Sequence, residues 1–371
     1  MAQPLDVALL PPELDEFEIN LFGPGYGESI AVHLGDNRWM INDSCLNATK
    51  SRPAALEYLE GIGVDCGSSV DLVVASHWHD DHIRGMAQVV DTCSSATFVC
   101  STALRSDEFV QLVSAAEPEM SLGSGLSEFR KVMDIVVGRR NSGVQNPVKF
   151  AQADMTIWSN PNRPAVRVHT LSPSSASTLH TFQEIGALIP SVESARLRVP
   201  KVQPNDTSVV VWVEFEFEQA LLGADLEVVA DDARGWAAIC DSATRPNGSA
   251  GVYKVAHHGS VTGHYDGIYA QLLSALPISV LAPFSRGRTI LPTEADRERL
   301  CSHSSEVYST NTKISPVRLP RERLVGKTLK ESNNKVEVVD PSFGHIRLRR
   351  RTDDPTWRVE LRGHAGALCV A

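Results

Sequence analysis

No two of the seven cysteines in this 371-residue chain stand as a CxxC pair. They fall at 45, 66, 93, 100, 240, 301 and 369, an odd number scattered over the whole length, so neither a disulfide framework nor a cysteine zinc site is expected, and a reducing, cytoplasmic setting suits them. No apolar run reaches the roughly 20 residues that cross a bilayer, and no membrane association is expected. The opening "MAQPLDVALLPPELDEF" has no basic stretch, and Pro11-Pro12 interrupts its apolar run, so a secretory signal is not expected. Fixed-period repeats of the solenoid or propeller kind are also missing. Disorder is excluded from the other side: 42% hydrophobic residues over this length can bury a large core.

Basic residues are in the minority, with a formal charge of -10. Residues 301–371 depart from this, carrying 13 Lys and Arg against 8 Asp and Glu. Such a tail could touch a polyanion, nucleic acid included. The alternation in "GHIRLRRR" and "TWRVELRG" suggests instead a solvated β-hairpin face.

Strands and helices alternate along the chain. "FEINLF", "SIAVHL" and "RWMIN" read as short strands, the first two joined through the Gly-rich "GPGYGE". A helix over "AALEYLEGIG" and a buried strand over "DLVVAS" follow. "IRGMAQVV" has helical spacing. Residues 102–150 read as a helical insertion, with helices over "SDEFVQLVSAA" and "LSEFRKVMDIVVGRR". "SPSSAST" reads as a loop or linker, and the chain is a candidate for division near Pro200 and Pro204. Alternation resumes from "TSVVVWVEFEF" to "EADRERL".

Six residues concentrate the chemistry. His77-Trp78-His79-Asp80-Asp81-His82 stands where a buried strand stops, the place where α/β proteins gather their sites. His77 and His79, two apart on an extended segment, project to one side and can pinch a cation. Asp81 and His82, opening the next helix, can turn toward a second cation roughly 3.5 to 4 Å away. Chance would assemble three His and one Asp in this spacing on the order of once in a thousand such chains. Histidines merely satisfied in a core would each need compensation for burial.

His77, His79, Asp81 and His82 match HxHxDH, and here the sequence resembles the metallo-β-lactamase-fold hydrolases. "PNDTSVVVWVEF", "ALLGADLE" and "VYKVAHHGS" are similar, in order and style, to the hydrolase domain of ComEC-type DNA-uptake proteins and their soluble relatives. "GPGYGESIAV" and "MINDS" resemble that family's first hairpin and its Asp-bearing strand, here Asp43. The resemblance implies an α/β fold, an αββα sandwich of two packed mixed sheets flanked by helices. Its hydrolase domain would span 16–310, with the 102–150 insertion inside it and a basic C-terminal β extension over 311–371. It implies Asp206 as a ligand, with His169 as the rival, Asp225 as a carboxylate shared by two cations, and His258 as a ligand with His257 left for substrate or a supporting role.

The implied cofactors are two divalent ions, zinc by the imidazoles or manganese by the carboxylates, acidifying a bridging water for attack. Asp81 could orient that hydroxide. His257, or Ser260, Thr262 or His264 in the following loop, could bind phosphate oxygens or protonate a leaving group. Arg286 and Arg288 suit an anionic substrate. The expected function is a phosphodiesterase or nuclease, in nucleic-acid turnover or phage defence. The alternatives are a small-molecule ester, thioester or lactone hydrolase, and a non-catalytic subunit stabilised by metal. Leu291-Pro292 stands where those relatives commonly show His-Pro.

Overall fold

In strand β1 (Phe17–Gly23), Phe17, Ile19 and Leu21 enter one apolar layer while Phe22 enters another, as a two-residue side-chain period requires when both faces are covered. The same division holds in β3 (Trp39–Asn42), where Met40 faces one way and Trp39 and Ile41 the other. The computed structural model describes residues 10–23, 26–105, 124–188, 204–287, 289–312 and 342–369.

Among these residues two eight-stranded mixed sheets stack face to face. The first contains β1, β2 (Ser29–His33), β3, β4 (Val70–Val74), β5 (Thr97–Ser101) and β6 (Val148–Ala151), with β16 (Gly344–Arg351) and β17 (Asp354–Gly363) added beside β1. The second runs β18-β15-β12-β11-β10-β9-β8-β7. Its strands are β7 (Met155–Ser159), β8 (Arg167–Thr170), β9 (Val211–Phe215), β10 (Glu218–Leu222), β11 (Ala250–Lys254), β12 (Leu273–Leu281), β15 (Glu306–Ser309) and β18 (Gly366–Ala367). A two-stranded ribbon pairs β13 (Phe284–Arg286) with β14 (Thr289–Leu291). Valines, isoleucines and leucines from the facing sides fill the space between the sheets.

Helices close the outer faces. On the first sheet, α1 (Ala54–Gly61), α4 (Met86–Thr92) and α5 (Ser124–Asn141) bury Leu56, Val89 and Phe129; α2 (Cys66–Ser69) and α3 (Asp80–Ile83) add Cys66 and Ile83. On the second sheet, α7 (Gly235–Asp241), α8 (Asp266–Gln271) and α9 (Glu294–His303) bury Trp236, Ile268 and Leu300. The result is the αββα sandwich.

Several local expectations change. "SPSSAST" is not a linker: α6 (Ser175–Leu188) starts inside it, with Ser174 Oγ accepting from Ser177 N at 3.1 Å, because a serine run supplies the cap a helix start needs. The suggested division near Pro200 and Pro204 falls between β8 and β9, which pair antiparallel in one sheet. Helix candidate 106–116 lies outside the described residues. Cys301 and Cys369, read as unpaired, form a disulfide that ties α9 to the end of the chain. Their sequence separation of 68 residues hid the pairing.

The C-terminal hairpin forms, and its two strands differ: β17 is exposed or half-buried along its length, as a solvated face would be, whereas β16 is largely buried. β16 pairs with β1 along its length, from Phe17 opposite Arg350 to Gly23 opposite Gly344. Arg347 and Arg349 are therefore buried, joined to Glu360 and Glu18, while Arg350 reaches Glu218 of the second sheet. Arg351, Arg358 and Arg362 pair with Asp353, Glu16 and Glu360. The positive charge of this hairpin is thus matched by carboxylates, half of the pairs lying within the hairpin and half reaching Glu16, Glu18 and Glu218 elsewhere in the sandwich.

His345 on β16 is buried against Phe22 and contacts Asn20 Oδ1 through Nε2 at 2.8 Å. Burial, then the charges of Arg347 and Arg362, push its pKa down to about 3. His33 is likewise lowered to about 4, by burial first. The unfolded chain binds these protons below about pH 6.5 and the folded one refuses them, so stability is full above that pH and falls toward pH 3. Between pH 6.5 and 5 each histidine is expected to cost about 2 kcal/mol. Urea midpoints at the two pH values should converge in His345→Gln relative to the unsubstituted protein; an unchanged difference would refute this source of acid sensitivity.

Candidate metal centre

Four strand ends meet at one edge of the sandwich. Asp43 follows β3, the segment 77–82 follows β4, Asp225 follows β10, and His257 and His258 follow β11. Parallel pairing of β3 with β4 and of β10 with β11 brings these carboxyl ends together. Asp43, Ala224, His257 and His258 all have left-handed backbones, with φ of 59°, 46°, 46° and 53°. Such conformations cost non-glycine residues of order 1–3 kcal/mol and concentrate at functional sites.

Asp81, His82, Asp225 and His258 form a buried group with donor atoms within 4.8 Å of one another. One oxygen, Asp225 Oδ2, lies 3.3 Å from His82 Nε2, 3.4 Å from His258 Nε2 and 3.9 Å from His77 Nε2. Asp81 Oδ2 is 3.2 Å from His258 Nε2. On the other flank, His77 Nε2 meets His79 Nδ1 at 3.1 Å. A single carboxylate oxygen therefore faces imidazoles from both halves of the motif.

Supporting contacts fix the rings. Asp43 accepts from Ser76 N and Ser76 Oγ, both at 2.7 Å, and contacts His82 Nδ1 at 2.8 Å. Ser76 Oγ also meets His77 Nδ1 at 3.0 Å, and His258 Nδ1 lies 3.0 Å from the Ala282 carbonyl. With their Nδ1 atoms engaged, His77, His82 and His258 turn Nε2 toward Asp225.

The electrostatics suit cations. Burial, reinforced by His82 and His79, holds His77 well below its ordinary pKa, and burial also lowers His79; neutral imidazole is the form that binds metal. Burial pushes His82 and His258 the same way, but Asp225 and neighbouring carboxylates outweigh it, raising His82 and taking His258 to about 10. Burial would raise Asp225, yet His82 and His258 hold it low. Four buried carboxylates, Glu28, Asp43, Asp81 and Asp225, share the region with one buried ammonium, Lys254. His82 Nε2 and Asp225 Oδ1 are buried without a hydrogen-bond partner. Excess negative charge and unsatisfied donor atoms fit divalent ions.

Beside the cluster opens a cavity of about 510 Å³, lined by His79, Asp81, Asp225 and His258 and, farther out, by His257, Ser260, Thr262 and Arg286. His257 Nδ1 lies 2.7 Å from Thr262 Oγ1 and 3.4 Å from Glu227 Oε1, and Glu227 accepts from Asn205 Nδ2 at 2.6 Å. Arg286 Nη1 donates to Tyr26 Oη at 2.9 Å. The two adjacent histidines part company through consecutive left-handed residues: His258 is buried and His257 half-buried at the cavity.

Four candidates from the sequence stand apart from the cluster or outside the described residues. Asp206 does not join the cluster; its Oδ2 lies 3.6 Å from Arg234 Nη1, because the tight turn Pro204–Thr207 turns successive side chains apart and gives the cavity to Asn205. His264 is not at the cavity but pairs with Asp266 at 3.1 Å, its ring beside Tyr269 and His303. Arg288 lies outside the described residues. His169 sits between Thr156 Oγ1 at 3.0 Å and Glu214 Oε2 at 3.2 Å. Accordingly, Asp206→Ala is expected to leave metal content unchanged by elemental analysis, and loss of an ion would return Asp206 to the ligand set. Glu28, Lys254, Asn205 and Glu227 escaped the sequence reading, since nothing in their spacing marks contacts that only the folded chain creates.

No protein-family model matches the sequence, and no curated protein is significantly similar to it. Among solved structures, the metallo-β-lactamase fold protein YhfI from Bacillus subtilis is similar at 12% identity and a TM-score of 0.38, over 79% of this chain and 95% of that one. The metallo-β-lactamase SMB-1 gives 13%, 0.35, 66% and 80% in the same order. A metallo-β-lactamase from Pontibacter korlensis gives 15%, 0.27, 56% and 67%.

Proposed function

We propose that this chain is a dinuclear metal-dependent hydrolase of the metallo-β-lactamase type that cuts phosphodiesters. The observation that carries the reading is Asp225 Oδ2, within 3.9 Å of imidazole nitrogens from both halves of the motif. His77 and His79 would hold one ion, Asp81, His82 and His258 the other, and Asp225 both. Two divalent ions, zinc or manganese, would supply an acidified water and positive charge at the electrophile's oxygen.

The remaining roles belong to the cavity wall. Arg286, steadied by Tyr26, presents a guanidinium to an anionic oxygen, where its planar donors suit phosphate. Ser260 and Thr262 offer hydroxyls beside it. His257, oriented by Thr262 and Glu227, is placed to give a proton to the departing oxygen. A cavity of about 510 Å³ accommodates one phosphodiester with its flanking groups. Because the hairpin arginines are engaged with carboxylates, a nucleic-acid substrate would be gripped through this cavity more than through the hairpin.

The test is a panel of bis-p-nitrophenyl phosphate, cyclic nucleotides, single- and double-stranded DNA, RNA, and thioesters, each with zinc or manganese. Cleavage of phosphodiesters alone supports the reading. Turnover of thioesters with no phosphodiester cleavage would replace it.

A further inference from the structure

We propose that the buried Lys254–Glu28 ion pair is the positioning device of the metal centre, with Lys254 fixing the backbone that presents Asp225 and Glu28 backing the imidazoles of His82 and His258. The proposal rests on the metal-binding reading above. Both side chains are almost wholly buried, at 1% and 0% exposure. Burying such a pair is costly, and apolar side chains of similar volume would often serve stability as well or better. Its contacts show what it does instead.

Lys254 Nζ, at the end of β11, pairs with Glu28 and donates to the Ala224 carbonyl at 3.1 Å. The same carbonyl accepts the His257 backbone N–H at 2.9 Å. One oxygen, immediately before Asp225, thus joins the turn that presents Asp225 to the turn that presents His258. Ala224 has a left-handed backbone, φ 46°, which persists only where surroundings over-determine it. Glu28 completes the set. Its carboxylate oxygens stand 3.6 Å from His82 Nδ1 and 3.8 Å from His258 Nδ1, and its N–H donates to the Asp81 carbonyl at 2.9 Å. All four members of the buried cluster are therefore touched by this pair or by the backbone it holds. The pair has no net charge, so its contribution is to geometry more than to the total charge the cations meet.

The decisive variant is Glu28→Gln with Lys254→Met in the full chain, which keeps the formal charge and removes the contacts. Zinc affinity is measured by chelator competition, and visible absorption is recorded with cobalt(II) in place of zinc. The expected result is cooperative unfolding in chelator, zinc binding weakened about 10- to 100-fold, as for outer contacts of metal ligands, and an altered cobalt spectrum. A folded double variant with unchanged affinity and spectrum would reduce the pair to a structural contact and overturn the proposal. Should circular dichroism show the double variant unfolded, Glu28→Gln alone decides: it keeps the Lys254 bond to Ala224 and withdraws the carboxylate. Weakening of about tenfold with a changed spectrum is then expected, and no change in either overturns the proposal. Failure of the unsubstituted protein to bind zinc or cobalt would instead sink the metal-binding reading itself.

Discussion

Asp225→Asn is expected to reduce hydrolysis at least about a thousandfold and to leave the chain with no more than one bound ion. The substitution preserves shape in a side chain that is almost fully buried and removes the charge between the two halves of the site. Two unit charges 4 Å apart interact by about 4 kcal/mol at an effective dielectric of 20, and two dications repel by about four times that. A shared carboxylate offsets much of this repulsion, which the imidazoles of His77, His82 and His258 cannot do. Elemental analysis and initial rates on the same preparation check both halves of the expectation. Two ions and a near-normal rate in the variant would show that Asp225 is not shared.

The second large effect separates the adjacent histidines. His258→Ala is expected to deplete the ion position formed with Asp81 and His82, since His258 Nε2 lies within 3.4 Å of both carboxylates. His257→Ala should keep its metal and lose about 100-fold in turnover, with kcat and kcat/KM falling together, as when a contact made only in the transition state disappears. Glu227→Gln should shift the same parameters less, because it removes an orienting partner. Depletion in His257→Ala with full occupancy in His258→Ala would reverse the assignment. Full occupancy in both would remove this turn from the metal centre.

The HxHxDH segment was legible because its residues lie within six positions and its place after an apolar strand follows from the pattern alone. Asp225 and His258 were reachable only through family resemblance, being more than 140 residues downstream of His82. Asp206 stands apart from the cluster while its neighbour Asn205 lines the cavity, because in a turn of 3-10 type sequence order does not say which side chain faces inward. The split between His257 and His258 came from the family resemblance, and consecutive left-handed residues are what separate them in the fold. Alternation revealed both strands of the C-terminal hairpin. It could not reveal that β16 would lie beside β1, because that pairing joins residues over 300 positions apart, nor that buried glutamates awaited its arginines. Lys254 and Glu28 were invisible for a similar reason, as their pairing crosses from one sheet to the other.

The most direct measurement of the central claim is metal content together with activity on bis-p-nitrophenyl phosphate, before and after chelation, in the purified full chain. Two zinc or manganese ions per chain are expected, with hydrolysis lost on chelation and recovered when either ion is returned. Undiminished hydrolysis by protein shown to contain no metal would contradict it.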